Sequence, residues 1–226
     1  MVSMDMASTE VSGTQIMPPK DSKSRGRKRS DVKRDRIVRS AAKLFLDKGY
    51  ESVSINDIIE VVGGSKATIY SNFSSKEKLF EAVVEQMCAD VTLQIDTHPT
   101  GTIDEQLTRI AHSFVSKVMS PPILRFHRLM TSIGRNFPAA GRLFYATGPR
   151  TAHQIIADWI AVQQREGNIR SDQDSFQLAV LFHDMLIGDL HLSWLTSASS
   201  EADRAKRINQ KVRLAVKVFL QGCAPR

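Results

Sequence analysis

The run Lys66-Ala67-Thr68-Ile69-Tyr70-Ser71-Asn72-Phe73 gathers side chains suited to recognising a polyanion. At helical spacing Ile69 and Phe73, four apart, form one buried stripe, which leaves Lys66, Ala67, Thr68, Tyr70, Ser71 and Asn72 on the other faces. The hydroxyls of Thr68 and Tyr70 suit phosphate oxygens, and the Asn72 amide suits N6 and N7 of adenine. Lys66, at the helix start, suits guanine or phosphate. These are the chemistries of reading double-stranded DNA.

Charge points the same way. The chain carries a formal +7, and between Lys20 and Arg39 ten Lys or Arg face only Asp21, Asp31 and Asp35, so this one segment holds the whole excess. A positive field confined to one end fits a polyanionic partner. Arg25-Gly26-Arg27-Lys28-Arg29 is its centre, and Arg25, Arg27, Lys28 and Arg29 are expected to enter a narrow A·T-rich minor groove, adding affinity more than sequence reading. The bland alternative is a solvated tail. A membrane-surface helix would need bulky apolar residues opposite the charges, and residues 20–36 contain almost none.

These residues need elements to hold them. Residues 1–30 are Ser, Thr, Gly, Pro and charge without an apolar period, and are expected to be a disordered basic extension. From Asp31, a plausible N-cap, Ile37, Ala41, Leu44 and Phe45 mark a helix that stops at Gly49. Ser54, with Asp57 three residues on, caps a short helix to Val62. Gly63-Gly64 breaks it, and Ser65 caps a second short helix, Lys66 to Phe73. Lys76 opens a longer helix bearing Leu79, Phe80, Val83, Val84 and Met87. Two short helices joined by a glycine turn, after one longer helix, form a helix-turn-helix whose second helix enters the major groove.

Residues Ile37 to Val84 resemble the tetracycline-repressor (TetR) family of bacterial regulators. The shared features are Ala41-x-x-Leu44-Phe45, Gly49-Tyr50, Ser54-Ile55-x-x-Ile58, Gly63-x-Ser65-Lys66-x-Thr68-Ile69-Tyr70 and Phe73-x-Ser75-Lys76-Glu77-x-Leu79. The resemblance implies that Thr68, Tyr70 and Lys76 grip phosphates while Lys66, Ala67, Ser71 and Asn72 face bases, with Asn56 contributing from the preceding helix. Ser65 belongs to the same DNA-binding set. Val62, Gly64 and Asn72 depart from the family pattern; Gly64 replaces a buried aliphatic residue, which is expected to soften the bundle.

Beyond Pro99 every periodic segment reads helical, with expected helices at 103–119, 122–134, 138–145, 150–166, 173–195 and 201–221. The expected fold is all-α: an N-terminal three-helix helix-turn-helix DNA-binding bundle over residues 31–78, then a helical ligand-binding and dimerisation domain over 79–226. The segment from Pro122 to Met130, with Asn136-Phe137-Pro138, Phe144-Tyr145 and Trp159-Ile160, is similar to the AefR-like C-terminal domain. That implies a small-molecule effector and a homodimer built by the two C-terminal helices. Phe114, Phe126, Met130, Trp159, Phe176 and His183 are candidate pocket residues, each with plain core as the competing reading.

Other classes find little support. There is no phosphate-cradling Gly-x-x-x-x-Gly-Lys loop, Gly-x-Ser-x-Gly elbow or His-Glu-x-x-His helix, so no enzyme is expected. Cys88 and Cys223 make no disulfide framework, and His127 with His183 lacks the carboxylate spacing of a metal site. No cofactor, metal or membrane partner is expected, and the location expected is cytoplasmic. The expected function is a homodimeric repressor released from a palindromic operator by a ligand. Its alternatives are a ligand-independent repressor or nucleoid-type protein, or a protein- or membrane-surface module.

Overall fold

The computed structural model describes residues 22–197 and 201–225, with side chains from Asp31 onward except that of Glu201. Among the described residues the regular structure is helical, without strands. The first bundle consists of α1 (Ser22–Lys48), α2 (Ile55–Val62) and α3 (Lys66–Asn72), joined to the rest by α4 (Lys76–Thr92). The second comprises α5 (Ile103–Val118), α6 (Pro121–Ile133), α7 (Pro138–Thr147), α8 (Pro149–Arg165), α9 (Ser175–Leu195) and α10 (Arg204–Gly222).

Local chemistry sets these boundaries. Ser54 and Asp57 form a reciprocal capping box at α2, and Thr102 and Glu105 form another at α5. Pro121, Pro138 and Pro149 open α6, α7 and α8, where a missing amide proton costs nothing. The expected helices reappear within a few residues of their predicted ends.

One start differs. Helix α1 begins at Ser22, so Asp31 lies inside it and does not cap it, and residues 22–30, expected to be disordered, have helical backbone. Lys and Arg are good helix formers, and extending a helix already anchored by Ile37, Val38, Ala41 and Phe45 needs no new nucleus. Residues 1–21 and the side chains of Arg25, Arg27, Lys28 and Arg29 lie outside the described residues.

A continuous core runs through both bundles. Phe80 of α4 stands edge-on to Phe45, ring centroids 5.3 Å apart, and 4.7 Å from Tyr50. Tyr50 also meets Phe137, which leads into α7, at 5.1 Å. Helix α9 is long and apolar enough by composition to cross a membrane; here it packs against α8, α10 and α6.

Candidate functional site

Helix α3 is held by its buried edge. Ile69 is buried beneath it and Phe73, closing it, is buried next. The Ser65 hydroxyl accepts from the Thr68 amide at 3.3 Å and lies 3.4 Å from the Thr68 hydroxyl. Lys66, Ala67, Tyr70 and Ser71 are exposed, and Thr68 is half-buried. Tyr70 keeps half of its surface in solvent, unusual for an aromatic ring with a core beside it. Asn56 is exposed on α2. The structure thus brings Asn56 and the α3 residues into one head, on a polar surface braced from beneath.

Two of these side chains are already engaged. The Asn72 amide donates to the Thr68 carbonyl at 2.8 Å, and Ser71 donates to the same carbonyl at 3.0 Å. The Asn72 amide is thus held on its own helix backbone. Lys76 places its ammonium 4.3 Å above the Tyr50 ring and donates to the Glu51 carbonyl at 3.5 Å, so this cation is oriented at the start of α4. Tyr50 in turn donates to Glu77 at 3.5 Å; burial, then the charges of Glu77 and Glu51, push its phenol up to about 12.

Helix α1 contributes residues that sequence reasoning passed over. Arg36 donates to the Val62 carbonyl at 2.9 Å, closing the end of α2, and the Arg34 guanidinium lies 5.0 Å from the Phe73 ring. The basic segment thus braces the turn as well as supplying charge.

Gly63 and Gly64 both adopt positive φ, +75° and +108°. A Cβ on Gly64 would come no nearer than 3.5 Å to Thr68, an ordinary contact. The glycine is required by its backbone conformation, and the softening expected from a missing side chain gives way to that explanation.

The second bundle, with the end of α4, forms a partly open cavity of about 190 Å³. Each helix contributes neighbours at helical spacing: Cys88 and Val91 from α4, Phe114 and Val118 from α5, His127 and Thr131 from α6, and His183, Ile187 and His191 from α9. Phe144, Gly148, Pro149 and Ala152 close it from α7 and α8. Of the candidate pocket residues, Phe114 and His183 line this space. Phe126 is buried behind it against Phe144 at 5.5 Å, and Met130 is buried core. Phe176 backs His153 at 5.9 Å, beneath Arg150. Trp159 is displaced from the expected site: its indole donates to Gln106 at 3.1 Å and it borders a separate open depression.

His127, His183 and His191 supply most of the polar wall, and a fourth histidine, His153, stands behind it against His183. His127 Nδ1 and His191 Nε2 are 2.7 Å apart, and His183 Nδ1 lies 3.2 Å from Asp184. His153 stands edge-on to His183, ring centroids 4.5 Å apart, with both nitrogens buried and unpartnered. Burial pushes all four imidazoles toward the neutral form, His127 down to about 4 with help from His191 and His183. Sequence reasoning missed His153 and His191; the signal available was the four-residue spacing His183, Ile187, His191. Burial also pushes the Cys88 thiol up to about 11, which makes it a poor redox nucleophile. Among the described residues no group of three or more His, Cys, Asp or Glu is arranged to hold a metal ion.

Comparison with known proteins follows the same division. Residues 37–83 match the family model described as bacterial regulatory proteins, tetR family, and residues 105–223, more than half the chain, match the AefR-like transcriptional repressor C-terminal domain. The HTH-type transcriptional repressor ComR of Escherichia coli (strain K12) is 42% identical over 64 residues, 28% of this chain and 30% of ComR. The match therefore spans less than a third of that relative's length. A TetR-family structure from Mesorhizobium loti MAFF303099 superposes with a TM-score of 0.80 at 24% identity, covering 87% of this chain and 98% of the other. The flavonoid-responsive regulator FrrA superposes with a TM-score of 0.74 at 27% identity, covering 87% and 99%.

Proposed function

The chain belongs to the TetR family of bacterial transcriptional regulators, with an AefR-like C-terminal domain, and on that premise we propose a homodimeric repressor that a small molecule releases from a palindromic operator. The observation that carries the reading is the pairing of an exposed α3 surface with a largely apolar cavity, joined by one helix. Helix α4 packs Leu79 and Phe80 into the DNA-reading bundle and presents Cys88 and Val91 to the cavity. A ligand preferring one position of α4 changes the spacing of the heads, and DNA affinity falls by the difference in ligand affinity between the two states. A ligand-independent repressor would have that space filled.

The dimer reading rests on α9 and α10. Helix α9 is rich in apolar residues, and Leu181 and Leu192 on it face solvent, as do Leu214 and Val218 on α10. Exposed apolar stripes of that kind mark surfaces that a partner covers. Gly188 falls between Leu181 and Leu192 on the same stripe, and a Cβ there would meet nothing within 4 Å in a single chain, leaving room for close helix approach. A symmetric dimer would set the two α3 helices on successive major grooves, about 34 Å apart.

In the reading head, Lys66, Ala67 and Ser71 face bases, with Asn72 and Asn56 at the edges. Ser65, Thr68, Tyr70 and Lys76 hold the backbone. Arg25, Arg27, Lys28 and Arg29 add charge along the neighbouring groove. The test is selection of sheared genomic DNA by the purified full chain, followed by binding across a salt series. Enrichment of one palindromic site, bound by two chains in sedimentation, is expected. Equal binding to every fragment would overturn specific regulation, and a monomer on its site would overturn the dimer.

A further inference from the structure

Among the described residues no Asp, Glu, Lys or Arg lines the α4–α9 cavity, so an ion entering it meets no opposite charge there. Burying an unpaired carboxylate or ammonium is strongly unfavourable. Recognition must therefore come from apolar walls and neutral hydrogen bonds. The walls are aromatic at two places: Phe114 lies 5.3 Å from the His183 ring, and Phe144 lies 5.5 Å from His127. Flat rings seated between such faces gain stacking and edge contacts beyond simple burial.

The polar complement has a sign. His183 Nδ1 faces a carboxylate oxygen of Asp184, which assigns the proton to that nitrogen and leaves Nε2 as an acceptor. His127 and His191 share one hydrogen bond, which engages one nitrogen of each ring. His153, next to His183, has a ring donor and a ring acceptor with no partner among the described residues, an arrangement native interiors rarely tolerate. His153 stands behind His183, outside the cavity lining, so the acceptor the wall offers a ligand is His183 Nε2, and a hydroxyl can donate to it.

From this geometry we infer that the effector is an uncharged aromatic compound bearing a hydroxyl, which donates to His183 while its ring lies between Phe114 and Phe144. This rests on the reading of the second bundle as the effector site. It excludes carboxylate ligands such as free fatty acids from the cavity, because no cation is there to receive them.

The test uses the full chain at pH 7 and three probes of nearly equal shape: methyl 4-hydroxybenzoate, 4-hydroxybenzoate and methyl 4-methoxybenzoate. Calorimetric titration is expected to rank the hydroxy ester at least about tenfold above both others, since one well-made buried hydrogen bond is worth that much. The acid lacks neutrality, and the methoxy ester lacks the donor. In His183→Phe, with its far-UV spectrum and DNA binding intact, the preference for hydroxyl over methoxy should disappear; His183→Gln, which retains an acceptor, should recover part of it. Should these variants fail to fold, the three-probe ranking on the unmodified protein decides alone. Equal or tighter binding of the acid, indifference to the hydroxyl, or no binding of the hydroxy ester at millimolar concentration would each overturn the inference. So would saturable zinc binding that His183→Phe abolishes. DNA release is read separately: the predicted ranking without release supports the cavity chemistry and removes the effector role, whereas release by the acid alone keeps the role and removes the chemistry.

Discussion

The reading head and the cavity wall solve opposite problems with the same kind of helix. In the head, the caps Ser54–Asp57, Ser65–Thr68 and Ser75–Lys78 each close within three residues, and the working side chains stand in solvent. In the cavity, Cys88 and His191 line one space from positions more than a hundred residues apart, and its histidines work against burial. A surface that offers donors to DNA can be written in one stretch of chain. A space that excludes water needs walls on all sides, so its residues are dispersed over the sequence.

Phe80 is where the two regions touch, and its loss is the largest effect expected. Phe80→Ala removes a fully buried ring packed on Phe45 and Tyr50 and should cost about 3–5 kcal/mol of unfolding free energy. If α4 unites the bundles, chemical denaturation will show one cooperative transition moved as a whole. Two transitions, only the first displaced, would mean that the head and the cavity are separate folding units and would break the proposed coupling.

The regions also differ in their response to acid. His127, His153, His183 and His191 all have depressed folded-state pKa values, so the unfolded chain takes up protons first as pH falls through the ordinary histidine value. Their contribution to stability is present above about pH 6.5 and is lost as pH falls below it, for His127 down to about 4. Asp184, which faces His183 and His153, tempers the loss for that pair. For His127 alone the loss is on the order of 2 kcal/mol by pH 5. Thermal melts from pH 7 to pH 5 should show the decline, and His127→Phe should flatten it. A decline unchanged in that variant would place the acid-sensitive groups elsewhere.

This division also explains what the sequence disclosed. Caps and apolar stripes are local, so Ser54, Ser65 and the helix-opening prolines located the elements to within a few residues. The start of α1 escaped because residues 22–30 carry no apolar period, although a packed helix can extend through Lys and Arg. Phe114 and His183 were legible as buried groups on amphipathic helices. Trp159 carries the same signature and sits elsewhere, because burial on a helix does not say which neighbour the face meets. His153 and His191, taken singly, resemble ordinary core histidines; only the fold brings them to His183 and His127.

Gly64 sharpens the contrast from the head's side. At φ +108° an added methyl meets no clash but holds the backbone in a conformation L-residues avoid. Gly64→Ala should therefore destabilise by about 1–2 kcal/mol, measured by urea denaturation. A stabilised variant would show that the turn relaxes and that a missing side chain was the real defect. Either result should leave ligand binding in the cavity unaltered.

Tyr70→Phe is the smallest change and the most specific to the head. Tyr70 is half exposed and contributes nothing to the cavity, so removing its hydroxyl should leave thermal stability and ligand affinity where they were. Operator affinity should fall by about 1 kcal/mol, the scale of one solvent-exposed hydrogen bond after its exchange with water. Phosphates are present at every step of the duplex, so the loss should be equal on the selected operator and on its single-base variants. Competition binding against a panel of such variants measures this directly. A loss concentrated at one base pair would make Tyr70 a base reader, and the division of α3 into residues that hold and residues that read would have to be redrawn around it.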